Sequence, residues 1–193
     1  MSAQVTGPTA GLDLGASERR SLLRAAREAI AAHLSGRKAS LPPATGGLGA
    51  ACGAFVTLRR LADEELRGCV GQMEASEPLL ETVAEMAVAA ATRDGRFAPV
   101  SASELDSLRI EISVLSALAL IRPSEVEVGR HGLLLRCGDR RGVLLPQVPV
   151  EYGWDRQAFL AHTCEKAGLP GDTWKRPDVE LLGFTATVFG EDD

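Results

Sequence analysis

Between positions 108 and 114 the chain alternates strictly, with Leu108, Ile110, Ile112 and Val114 on one side and Arg109, Glu111 and Ser113 on the other. A period of two means a β-strand with one dry face. A dry face demands a covering layer, and the sequence supplies one upstream. Leu79, Leu80, Val83, Met86, Ala87, Ala90 and Ala91 recur at spacings of three and four, behind Ser76 and with Pro78 near the first turn, where its missing N–H does little harm. The small alanines predict a helix lying close against a sheet. Strand and helix together commit the chain to a layered core of mixed class.

The other elements fit the same class. Leu22, Leu23, Ala26, Ile30 and Leu34 predict an amphipathic helix from Glu18 to Leu34 with Ser17 at its N-cap. Ser35 to Gly49, with Pro42-Pro43 and Gly46-Gly47, reads as an exposed loop that is either functional or mobile. Ala54 to Leu58 is a strand, and the polar run Ala62 to Glu65 turns it back into Leu66 as a hairpin. A second hairpin pairs Gly132 to Arg136 with Gly142 to Leu145. Trp154 to Ala167 is a helix stopped by Gly168 and Pro170, and Val179 to Phe189 reads as one long strand. Antiparallel hairpins with segregated helices give an α+β fold with about three main helices. Residues 1–16 are expected to be a flexible N-terminal tail, 17–190 a single domain, and 191–193 a C-terminal tail.

The 193 residues suffice for one domain with a sizeable core, and 45% hydrophobic with 24% charged residues is ordinary for a globular chain. A net charge of -5 speaks against a nucleic-acid surface, and Arg59-Arg60 and Arg140-Arg141 read as solvated turn residues. No run approaches the ~20 apolar residues of a membrane helix, and no basic-then-apolar leader pattern opens the sequence. Cys52, Cys69, Cys137 and Cys164 are spread without a C-x-x-C pair or a spaced histidine partner. The expectation is therefore free thiols in a reducing cytoplasm, with no metal and no cofactor.

One stretch carries candidate chemistry: Leu66-Arg67-Gly68-Cys69-Val70-Gly71. It sets a thiol between two glycines, with a guanidinium fork two residues before it. Such a fork suits a carboxylate or phosphate, and a nearby cation lowers a thiol pKa towards the reactive thiolate. The competing reading is a small buried hydrophobe between glycines that mark a bend or close strand packing. His131, in Gly129-Arg130-His131-Gly132, is the candidate general base for the thiol, against its reading as a turn residue. Glu111, Glu151 and Asp155 are carboxylates without a spaced partner, and Tyr152 and Trp154 either wall a pocket or fill core.

These motifs in order resemble the AMMECR domain family, known in prokaryotes as protein A of the AmmeMemoRadiSam system. The likeness rests on Leu66 to Gly71, preceded by Gly53 to Leu58, and extends through Asp94 to Val100, Ile110 to Ser116, His131 to Leu133, Leu144 to Val148 and Trp154-Asp155. It spans about residues 17 to 190. Val70 stands where the family commonly has Ile, and Gly95 where it commonly has Pro, which frees a loop φ angle near Arg96. The resemblance implies an α+β fold of a larger lobe, built from both chain ends, and a smaller one, with the six-residue motif near the cleft between them. It implies Arg67, Gly68, Val70, Gly71 and Arg96 as ligand-binding residues and Cys69 as the candidate catalytic one. It also implies a Memo-type protein and a radical SAM protein as partners. Two functions follow as expectations. One is an accessory module that recognises a small anion or a partner segment. The other is an enzyme using Cys69 as nucleophile or group acceptor on a small anionic substrate, with Arg67 positioning that substrate.

Overall fold

The computed structural model describes residues 11–192. In chain order the main elements are α1 (Ala16–Leu34), β1 (Ala54–Arg60), β2 (Leu66–Gln72), α2 (Leu79–Thr92), β3 (Leu108–Leu115) and β4 (Ala119–Leu120). There follow β5 (Gly132–Cys137), β6 (Arg140–Leu144), α3 (Gln147–Glu151), α4 (Arg156–Lys166), β7 (Glu180–Phe184) and β8 (Ala186–Gly190). The strands form two four-stranded sheets, ordered β2-β1-β3-β8 and β4-β7-β5-β6. All the strand pairs given by register are antiparallel, so the α+β class holds.

One compact unit comprises Leu12–Leu115 and the chain from Thr187 onward, which holds most of β8. Val56, Leu58, Ile110 and Ile112 turn the dry side of its sheet towards α1 and α2, and all four are fully buried with Leu22, Ile30, Leu80 and Val83. Each such side chain contributes about 1.5–3 kcal/mol by leaving water. The alanines of α2 act as expected: Gly68 lies so near the helix that a Cβ there would come within 2.2 Å of the Ala90 carbonyl oxygen. The glycines of β2 therefore serve close packing. Of the two readings of these glycines, bend or close packing, Gly68 follows the second.

Helix α1 begins earlier than expected. Its N-cap is Gly15, not Ser17, because Glu18 reaches back to accept the Gly15 N–H at 2.9 Å. The other oxygen of Glu18 accepts the Gly47 N–H at 2.8 Å, which moors a short 3-10 turn, Gly46–Gly49, against the helix. With Leu48 only 6% exposed, this end of the loop is packed. Most of the tail expected at residues 1–16 lies outside the described residues, but Leu14 is already buried. At the other end, Glu191 accepts two bonds from Arg27, both 2.6 Å, and the Ile110 N–H at 2.9 Å, so it is anchored where a tail was expected.

The other unit is built from Ser116–Ala186. Its β5-β6 hairpin is longer than expected, with Cys137 paired to Arg140 and only Gly138-Asp139 in the turn, where Gly138 takes φ +58. Helix α4, capped by Asp155 accepting the Ala158 N–H at 2.8 Å, packs Phe159, Leu160 and Cys164 against Leu133, Leu135 and Leu181. Helix α3 carries Pro149 within its short span and was not foreseen. The expected single strand from Val179 to Phe189 is two strands in different sheets. Thr185 separates them: its N–H bonds to the Ser116 hydroxyl and its carbonyl accepts the Ser116 N–H, both at 2.9 Å. Tyr152 is not core. It is 68% exposed and stacks on Trp154, centroids 5.0 Å apart, which in turn stacks on His162 at 3.9 Å.

Candidate functional site

Strand β2 is an edge strand, and its register decides what each residue of the six-residue stretch faces. Val70 pairs with Val56 and Gly68 with Leu58, so both belong to the helix-covered side. Expected at a ligand surface, they instead complete the packing beneath it. Cys69 pairs with Thr57, which pairs with Glu111 on β3, making a row on the opposite face of the sheet. Gly71 shares that face, but the Phe55 ring lies where its Cβ would be, 2.2 Å away.

Between Leu58 and Arg59 the pairing slips, leaving Arg67 as an extra residue in β2. Such a bulge re-aims a side chain. Arg67 turns to Glu104, donating at 2.6 and 3.2 Å through Nε and Nη2, and its guanidinium lies 5.9 Å from the Phe97 ring centre. Only 14% exposed, it is committed to a carboxylate of its own chain, which holds the Glu104 carboxyl below its usual range. The cation beside the thiol is Arg96.

Cys69 is enclosed by four groups. The Thr57 hydroxyl donates to its Sγ at 3.3 Å. The Asp94 carboxylate accepts its N–H at 2.9 Å, and Arg96 Nη2 approaches its carbonyl oxygen at 3.5 Å. Glu111 adds a negative charge from the same face. Burial pushes the thiol pKa up, and the opposing Thr57 bond and Arg96 charge do not reverse it. Asp94 accepts from Arg96 Nε and Nη2 at 2.9 and 2.7 Å, which drives its carboxyl far below the ordinary range, although its side chain is only 7% exposed. Arg96 also stacks on Phe97, 5.4 Å from the ring centre, so one aromatic ring lies against two guanidinium groups.

The candidate residues fall in both units. Cys69 and Arg96 come together, and Arg67 stands nearby through Phe97. His131 belongs to the other unit, 5% exposed, where its Nδ1 accepts the Glu127 N–H at 3.1 Å and its own N–H donates to the Glu127 carbonyl. It closes a turn, and burial pushes its pKa down. Cys52, Cys137 and Cys164 are free thiols like Cys69. Among the described residues no group of three metal-type ligands converges, and no helix is long and apolar enough to cross a membrane. Sequence reasoning gave no role to Asp94, Thr57, Glu104 or Phe97. An aspartate two residues before an arginine in a Gly-containing loop is a turn signal, but nothing local shows that the turn meets β2.

Fold and site define an α+β chain that carries a partly buried thiol on an edge strand, hooked by an Asp-Arg pair. The chain belongs to the AMMECR1 family, whose model matches residues 23–189. It is 48% identical over 181 residues to Protein MK0488 of Methanopyrus kandleri, covering 89% of this chain and 87% of that one. With Protein MJ0810 of Methanocaldococcus jannaschii it shares 44% identity over 176 residues, 88% of each chain. The crystal structure of the uncharacterized protein PH0010 from Pyrococcus horikoshii superposes with a TM-score of 0.82 at 43% identity, covering 89% of this chain and 90% of that one.

Proposed function

We propose that this protein is a recognition or accessory module, acting with a Memo-type protein and a radical SAM protein through the surface around Cys69 and Arg96. The observation that carries the reading is the setting of the thiol: Cys69 is partly buried, the Asp94–Arg96 ion pair is bound to its backbone, and burial pushes its pKa up. A nucleophilic cysteine needs a net positive setting that lowers its pKa, and here the neighbouring Arg96 is paired with a carboxylate. The cations nearby are matched one to one, Arg67 by Glu104 and Arg96 by Asp94, so the surface offers little net charge to a small anion. Specific contact with a protein segment, through backbone groups and paired side chains, suits such a surface better.

A second reading is favoured by one bond. A hydroxyl donating to sulfur stabilises a thiolate, and Thr57 does so, which is what an enzyme using Cys69 as nucleophile or group acceptor would need. Co-purification of the chain with its Memo-type and radical SAM candidates, using wild type and Cys69→Ser, separates the two. The module reading expects Cys69→Ser to be retained by a partner about as well as wild type. Loss of a partner-dependent turnover in Cys69→Ser, with binding intact, would establish the enzyme reading in its place.

A further inference from the structure

An edge strand leaves alternate N–H and C=O groups without a neighbouring strand. In β2 the Cys69 N–H and C=O point to that open side, and Asp94 and Arg96 meet them with an acceptor and a donor. The turn that carries these side chains hangs on one carboxylate. Asp94 accepts the Cys69 N–H, the Arg96 N–H at 3.2 Å and both contacts from the Arg96 side chain, while its own carbonyl accepts the Phe97 N–H at 3.0 Å. Elsewhere the turn is held by the Phe97 ring, 5.9 Å from the Arg67 guanidinium. A Cβ at Gly95 would meet nothing within 4 Å, and the Arg96 side chain is 56% exposed with its 3.5 Å contact to Cys69 the weakest of the set. A segment with one buried hydrogen-bonded mooring, one ring contact and solvated residues between them opens locally before the core does.

Building on the recognition reading above, we propose that the turn from Asp94 to Phe97 is a strap over the free edge of β2. Moored, it occupies the backbone of Cys69 and screens its thiol. Lifted, it exposes the N–H, C=O and thiol of that residue together. A partner at this surface therefore works against the Asp94 mooring, and the strap sets how often Cys69 is available.

The test uses the full chain and two rates, amide hydrogen exchange at Cys69 and its labelling by iodoacetamide, in wild type, Asp94→Ala, Asp94→Asn and Arg96→Ala. Asp94→Ala removes the mooring and should speed both rates at least tenfold, about 1.4 kcal/mol off the opening, while labelling of Cys52 in the same unit stays unchanged. Asp94→Asn removes the same charge but keeps an acceptor for the Cys69 N–H, so it should speed exchange far less than Asp94→Ala. Arg96→Ala frees only the carbonyl side and should speed labelling more than amide exchange. If Asp94→Ala does not fold, Arg96→Ala and Asp94→Asn carry the comparison. Equal acceleration by Asn and Ala would make the effect one of charge alone and overturn the strap. So would Cys69 exchange that proceeds only through global unfolding in every variant. These rates need no partner, so a failure to capture one sinks the recognition reading and leaves the strap standing, whereas unchanged rates sink the strap alone.

Discussion

Replacing Gly68 by alanine puts one methyl group where the structure has no room for it. Its Cβ would stand 2.2 Å from the Ala90 carbonyl oxygen, and ordinary contact begins near 3.4 Å, so strand and helix must separate by about 1.2 Å. Neither partner yields easily. The obstructing atom is backbone, and the neighbouring Ala87, Ala90 and Ala91 of α2 are all 2% exposed or less. Overpacking of this kind costs about 1–3 kcal/mol, and a backbone obstruction puts the expected loss near the top of that range, about 3 kcal/mol. Urea denaturation followed by far-UV circular dichroism is the assay, because Trp154 and Trp174 both lie in the Ser116–Ala186 unit and their fluorescence would miss an unfolding confined to the other. Gly95→Ala is the control: no atom lies within 4 Å of its Cβ position, so it should fall within about 0.5 kcal/mol of wild type or gain slightly. A Gly68→Ala protein as stable as the Gly95→Ala protein would refute the claim that Gly68 exists for helix contact.

Arg67→Ala should lower stability by about 1–3 kcal/mol, since it strands a partly buried Glu104, yet leave the rate of Cys69 labelling unchanged because Arg96 is the neighbouring cation. The Arg67–Glu104 pair also predicts a pH dependence. With its folded pKa depressed, Glu104 contributes stability above the unfolded value of about 4.3, and that contribution is lost as pH falls through the folded value. The stability gap between wild type and Glu104→Gln, read by urea titration, should therefore be present at pH 7 and close in acid. A nonspecific protease should nick the exposed stretch from Gly36 to Pro43 and spare Gly46–Gly49, which Glu18 and the burial of Leu48 hold down; early cuts inside Gly46–Gly49, located by mass spectrometry, would contradict that packing.

Periodicity made the elements legible. The alternation from Leu108 to Val114 and the three-and-four spacing from Leu79 to Ala91 each require burial of one face, and each face is buried. What local pattern could not carry was partnership at a distance. Thr185 interrupts a run of strand-forming residues with no glycine or proline beside it, and its bonds to Ser116 show where the strand ends. The candidate site shows the same limit. That Cys69 lies between glycines was readable, but which side those glycines face depends on the register of β2 against β1. The expected activation of the thiol by Arg67 fails for a related reason. Two residues apart in sequence, they are separated in effect by a bulge and by Glu104, 37 positions away. Arg96, 27 positions along the chain, takes the place beside Cys69.

The acidity of one thiol decides between recognition and catalysis at this surface. Iodoacetamide labelling of Cys69 in the intact protein, followed residue by residue by mass spectrometry from pH 6 to pH 11, measures it directly. Burial outweighing Arg96 and Thr57 predicts a midpoint above the free-cysteine value of about 8.5, with little labelling at neutral pH. A midpoint below neutral, with Cys69 the fastest of the four thiols at pH 7, would contradict the recognition reading and make Cys69 an activated nucleophile.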